Sequence, residues 1–247
     1  MEMRNIRLVI EYDGTRFHGW QAVKRESNST ISGRITEVLK RMTQEEVVLY
    51  CGEKTDAGVH TLRQIANFKT GSQMSEVEIR HYLNRYLPSD IAIREVETAS
   101  DRFHAELNPH QSVYEYHLLI GETEDVFQRR YVDFRKQQPD FQAMESAAEM
   151  LRGSHDFRGF SAGKTKKSTV RDLQKLEIVT DQPGEVRICL AADGFLKQMP
   201  QKLVGTLLAI GYGQKEQSCI ADIFMGKDTA PAECKNQAFF LTEVCYD

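Results

Sequence analysis

The sequence predicts an α+β fold made of two similar halves. Three observations carry that expectation. Strand-like alternation and helix-like periodicity follow one another in the order β-α-β-β-α-β over residues 5–97. The same order returns more loosely after residue 106. No linker rich in glycine or proline separates the two runs.

Residues 5–12 alternate, with Ile6, Leu8 and Ile10 set against Arg7, Val9 and Glu11, and Asp13-Gly14 ends the strand. Ile31, Ile35, Val38, Leu39 and Met42 recur at helical spacing behind the capping candidates Asn28 and Ser29. Strands follow at 47–51 and about 63–70. The second helix opens on Ser75 and Glu78, spaced as a capping box, carries the apolar stripe Ile79, Tyr82, Leu83, Tyr86 and Leu87, and stops at Pro88. Residues 91–97 alternate again. In the second half a strand is expected near 112–120 and a helix over about 140–152, with Pro139 at its entry, Phe141, Met144, Ala148 and Leu151 on one face, and Gly153 after it. Strands near 172–180 and 185–191, a helix over about 196–211 and a last strand over 238–245 complete the order.

Two split β-α-β-β-α-β units amount to duplicated ferredoxin-like halves. Joined edge to edge, they would form one large, mostly antiparallel sheet with helices on one face. The border falls near residue 105, giving an N-terminal domain over 1–105 and a C-terminal domain over 106–247. The missing linker predicts that the halves pack rigidly.

Composition excludes several classes. A chain of 247 residues, 40% hydrophobic and 28% charged, is ordinary for a soluble globular protein. No apolar run approaches the roughly 18 residues of a membrane helix. The start, Met1-Glu2-Met3-Arg4-Asn5, lacks the apolar stretch of a signal peptide. The five cysteines are scattered, without Cys-x-x-Cys spacing, so a reducing cytoplasm is the simplest compartment. No histidine pair has helical metal-ligand spacing and no phosphate loop or dinucleotide fingerprint is present, so neither metal nor cofactor is expected. The net charge of −4 does not announce a nucleic-acid binder, but two local patches are basic. One runs from Arg16 to Arg25 with Phe17, His18 and Trp20 interleaved. The other holds Arg158, Lys164, Lys166, Lys167, Arg171 and Lys175 against a single acid, Asp172. Both also read as ordinary solvated loops.

The most informative stretch is Lys54-Thr55-Asp56-Ala57-Gly58-Val59-His60, a glycine-containing turn between two strands. Catalytic side chains are often presented on such loops by a rigid sheet. Asp56 reads either as a turn aspartate capping a backbone N–H or as a nucleophile. An ordinary carboxylate is ionised at neutral pH and needs no base to activate it. Lys54, two residues earlier, is a local cation. The stretch Tyr12 to Gln21 reads either as a packed aromatic loop or as an RNA contact, with Arg16 on phosphate and aromatics near bases. Tyr114 and Tyr116 share one strand face. Either can be core, and one could stack on an extracted base.

Taken in order, Tyr12–Gln21, Lys54–His60, Phe103–Tyr114, His155-Asp156-Phe157 through Val170-Arg171, and Leu196–Gly213 resemble the TruA-type tRNA pseudouridine synthases across nearly the whole chain. That resemblance implies a homodimer that binds tRNA in a positive cleft and isomerises uridines of the anticodon stem-loop without metal or cofactor. It makes Asp56 the nucleophile, attacking the uracil or the ribose C1′ so that the glycosidic bond breaks and the base rejoins through carbon. It makes Tyr114 the stacking partner of the flipped uracil, and Arg16, His60 and Arg171 substrate-binding residues. The chain departs from the family pattern at four places. Lys54 replaces the loop arginine. Met199-Pro200-Gln201-Lys202 replaces a segment whose arginine pairs with the catalytic aspartate. Glu106 follows Phe103-His104-Ala105 where arginine is usual. Glu233-Cys234-Lys235-Asn236 follows Ala230-Pro231-Ala232 in place of Gly-Leu. Lys202, displaced by a kink at Pro200, or Lys54 is expected to supply the missing cation. A tRNA-binding paralogue with weakened catalysis is the alternative.

Overall fold

The structure, a computed structural model, describes residues 3–21, 29–163, 168–230 and 234–246. Among the described residues it is α+β, with ten strands, mostly antiparallel, and five α-helices. The capping candidate Asn28, the basic residues Arg25, Lys164, Lys166 and Lys167, and the segment Pro231-Ala232-Glu233 lie outside the described residues.

The chain divides into two compact units. The first comprises residues up to His110 together with those from Phe240; the second is Gln111–Phe239. The border thus falls a little beyond the expected residue 105. The C-terminal strand also leaves the second half: Phe240 and Leu241 pair in parallel with His60 and Thr61 of the first unit.

In the first unit the elements are β1 (Arg4–Tyr12), α1 (Ile31–Thr43), β2 (Tyr50–Cys51), β3 (His60–Thr70), α2 (Glu76–Tyr86) and β4 (Ile91–Ala99). β1 lies between β4 and β3, antiparallel to both, and β2 adds to β3 opposite Ala66 and Asn67. The order β4-β1-β3-β2 is that of a ferredoxin-like unit, formed because alternation exposes one apolar face per strand. Ile6, Leu8, Ile10 and Tyr12 on β1 pack with Ile31, Ile35, Val38 and Leu39 of α1 and with Ile79 and Leu83 of α2. Each such fully buried side chain is worth roughly 1.5–3 kcal/mol. The cap of α1 is Thr30, whose hydroxyl accepts from Gly33 N, rather than Ser29. Ser75 and Glu78 do form the capping box of α2. The strand expected at 47–51 is confined to Tyr50–Cys51, with Val47 buried and Val48 exposed ahead of it.

In the second unit the elements are β5 (Pro109–Ile120), β6 (Asp133–Arg135), α3 (Phe141–Leu151), β7 (Gly153–Asp156), β8 (Val170–Gln182), β9 (Glu185–Ala192), α4 (Met199–Gly211) and α5 (Cys219–Phe224); β10 (Phe239–Tyr246) follows. β9 lies between β5 and β8, antiparallel to both, with β7 outside β8 and β6 beside β5. α4 is buried on every side, and its Gly211 lets Met144 of α3 approach. A Cβ there would meet the Met144 side chain at 2.7 Å.

Candidate active site

The loop carrying Asp56 leaves β2 at Cys51 and enters β3 at His60. Its turn is closed by Val59 N donating to Asp56 O (3.2 Å), and Gly58 takes φ 81°, a left-handed conformation suited to glycine. The buried Gln64 of β3 holds the entry side: its Nε2 donates to Glu53 O (2.6 Å) and its Oε1 accepts from Glu53 N (3.3 Å). Thr55 is buried, with its Oγ1 2.6 Å from the hydroxyl of Tyr12. Asp56 itself is half-buried.

The segment Gly14–Trp20 forms the bed of this loop. Trp20 N donates to Thr55 O (3.0 Å) and Gly58 N to Phe17 O (3.3 Å). The approach requires glycine. A Cβ on Gly14 would lie 2.0 Å from Val59 O, and one on Gly19 would lie 2.6 Å from Thr55 O and 3.0 Å from the Asp56 carbonyl carbon. Trp20 and Phe17 are buried. Phe17 and Trp20 therefore pack beneath the loop rather than offering their faces to bases, whereas His18 is exposed. Arg16 remains exposed and is ion-paired with Asp90.

His60 is only 2% exposed and faces the interior. Its Nδ1 accepts from Gly14 N (3.1 Å) and its ring stacks on Phe240 at 4.8 Å between centroids. The Asp13 carboxylate also lies 3.1 Å from Nδ1. The amide hydrogen points along its fixed direction into the ring lone pair, so the amide bond is the contact that holds in the neutral imidazole. His60 positions the loop through Gly14.

Lys54 is occupied. Its Nζ donates to Glu106 Oε1 at 2.8 Å, so two of the four departures from the family pattern face each other. Partial burial pulls the Lys54 pKa down, but the hydrogen bond and charge of Glu106 outweigh it, and the value stands above that of an ordinary lysine.

In the second unit β5 alternates as expected, burying Ser112, Tyr114, Tyr116 and Leu118. The two tyrosines part ways chemically. Tyr116 donates to the buried Asp133 (2.6 Å) and packs on Phe239, which makes it a core residue. Tyr114 meets Phe195 edge to face at 5.3 Å. Met199 and Pro200 sit in the first turn of α4 after Gln198 in left-handed conformation, where a proline removes no helical hydrogen bond. Lys202 N bonds Gln198 O in the ordinary helical pattern (3.1 Å), so the expected kink is absent. Lys202 is buried, its Nζ reaching Gly159 O at 3.5 Å, and burial lowers its pKa. Gln201 is also buried. Arg171, half-buried on β8, donates to Ser168 O (3.1 Å) and Val170 O (2.6 Å).

The tRNA pseudouridine synthase family model matches residues 8–108 and 147–247. The chain belongs to the tRNA pseudouridine synthase family. As a member it is an isomerase of tRNA uridine. It is 39% identical over 237 residues, 96% of each chain, to a "tRNA pseudouridine synthase A 2" of Bacillus cereus. It is 38% identical to "tRNA pseudouridine synthase A" of a Bacillus species, covering 93% of this chain and 94% of that one. It is 36% identical to the "tRNA pseudouridine synthase A 2" of Clostridium tetani, over 99% of both. In this pseudouridine synthase family member the Asp56 loop is braced from both sides. The bracing role of Gln64 has no signal in the sequence, because a buried polar residue on a strand leaves only a break in apolar alternation. No helix among the described residues is long and apolar enough to cross a membrane.

Proposed function

We propose that this chain converts uridine to pseudouridine in the anticodon stem-loop of tRNA, with Asp56 as the nucleophile. The observation that carries the reading is the bracing of the Asp56 loop by Tyr12, Gln64 and Gly19, which positions one half-buried carboxylate on a rigid sheet. Such rigidity is what a covalent step needs, since it converts a collision into a near-attack geometry. The uridine leaves its stack first, at about a few kcal/mol, least in a loop. With attack at the ribose C1′, the Asp56 carboxylate bonds to C1′ as the N1–C1′ bond breaks. The base turns, C5 bonds to C1′ as the carboxylate leaves, and the C5 proton is lost while N1 takes one up. Attack at the uracil is the alternative, with the carboxylate likewise released at the end. Tyr114 stacks on the uracil; Arg16 and Arg171 neutralise phosphates. The cation that takes the place of the arginine that Gln201 replaces is Lys54 or Lys202, the latter a buried ammonium without a carboxylate partner among the described residues.

The working form is a cytoplasmic homodimer that needs no metal or cofactor. Gln201 favours one second reading, a paralogue that binds tRNA without turning it over. Tritium release from tRNA labelled at uridine C5 separates the two. Release by the wild-type protein and none by Asp56→Asn supports the enzyme; tight binding with no release supports the paralogue.

A further inference from the structure

Glu106 stands on a turn that is held in place, and Lys54 reaches it on a long, half-exposed side chain. Ala105 N donates to Asn67 Oδ1 (2.8 Å) and Ala105 O accepts from the Tyr246 hydroxyl (2.8 Å). His104 N donates to Asn108 Oδ1 (2.6 Å), and the His104 ring packs on Tyr50 at 4.3 Å. Asn67 is fixed in turn by Asn5 on the neighbouring strand (2.8 Å). The backbone beside Glu106 is therefore tied to β3 and β10. Lys54 carries its charge on four methylenes, and its side chain is 49% exposed against 38% for Glu106.

An exposed pair of this kind contributes only about 0–1 kcal/mol to folding. Holding the loop is not its main effect, because Gln64, Tyr12 and Trp20 already do that. A nearby polyanion competes for the same ammonium, and the competition is close because the pair is weak and solvated. We propose that Glu106 is a brake on tRNA binding: it occupies the Lys54 ammonium, and a substrate phosphate must displace it to use that cation. The inference rests on the reading that tRNA approaches the Asp56 loop. It gives the two departures, lysine for arginine and glutamate for arginine, one shared consequence. The loop keeps a cation but offers it to RNA only in exchange for a carboxylate, so affinity is tuned down.

The test is the dissociation constant of an anticodon-stem-containing tRNA transcript, measured between about 50 and 200 mM salt. The proteins are the wild type, Glu106→Gln, Lys54→Gln and the double variant, each checked for an unchanged thermal melt. Glu106→Gln is expected to bind about two- to fivefold tighter. Its log–log salt dependence should steepen by about 0.7–0.9, the share of one added phosphate contact. In the Lys54→Gln background the same substitution should change nothing. Unchanged or weaker binding by Glu106→Gln overturns the brake, as does a gain that survives the loss of Lys54, since that would be a general charge effect. A wild-type protein that fails to bind tRNA at all removes the proposed function, and the brake with it.

Discussion

The hydroxyl of Tyr12 and Oγ1 of Thr55 lie 2.6 Å apart inside the core, joining the end of β1 to the residue before Asp56. Burial raises the Tyr12 pKa far above its ordinary value, so the phenol keeps its proton at any working pH. Tyr12→Phe should lower stability by about 1 kcal/mol, the net worth of one buried hydrogen bond. Turnover should fall by more than that loss explains, because the neighbour of the proposed nucleophile loses its anchor. A shifted denaturation midpoint at constant slope, together with a reduced kcat, is the expected pair of readings.

Gly19 bears directly on the backbone of the same loop, at φ 88°. A Cβ there would press on Thr55 O and on the Asp56 carbonyl carbon. Gly19→Ala is expected to cost at least about 1–3 kcal/mol through strain alone and to abolish activity in whatever protein still folds. Thermal unfolding and tritium release on the same preparation check both parts.

Lys202 is a buried charge with no carboxylate to compensate it among the described residues. Lys202→Met should raise stability at neutral pH by about 1 kcal/mol or more, because an apolar chain of similar reach replaces an uncompensated ammonium. Its folded-state pKa is lowered, so the unfolded chain binds the extra proton in the window below the ordinary lysine value of 10.5. The penalty from Lys202 is complete below the folded pKa and fades as pH rises towards 10.5, and the advantage of the methionine variant should shrink over that window. If Lys202 offsets Asp56 in the reaction, the stabilised variant also loses turnover. A stabilised and fully active Lys202→Met would remove it from the mechanism.

Asp133 is completely buried and accepts from the Tyr116 hydroxyl (2.6 Å) and from Arg135 (2.9 Å), with Lys235 Nζ at 3.5 Å. Asp133→Ala leaves the Tyr116 hydroxyl and two cations without their acceptor. Destabilisation of about 3–5 kcal/mol is expected, large enough to read as a lost folded baseline at physiological temperature.

Much of this architecture is legible in the sequence because it rests on periodicity. The alternation of Ile6, Leu8 and Ile10 and the stripe from Ile79 to Leu83 name the faces that meet in the first core. The capping box at Ser75 and Glu78 marks its helix to the residue. What escaped depends on distant partners. β6 and β7 are too short for alternation to register, and the pairing of Phe240 with His60 joins positions far apart in the chain. Trp20 and Phe17 look equally suited to a core or to bases; the close approach allowed at Gly14 and Gly19 decides for the core. Lys54 and Glu106 read singly as two damaged family positions. Only the fold, bringing them together across 52 residues, makes them one feature.

Asp56 is proposed to perform the chemistry. Tritium release from tRNA labelled at uridine C5, compared between the wild-type protein and Asp56→Asn with tRNA binding measured alongside, tests it most directly. Steady release by the wild type, none by the variant, and comparable binding by both are expected. Release that continues undiminished in Asp56→Asn would contradict it.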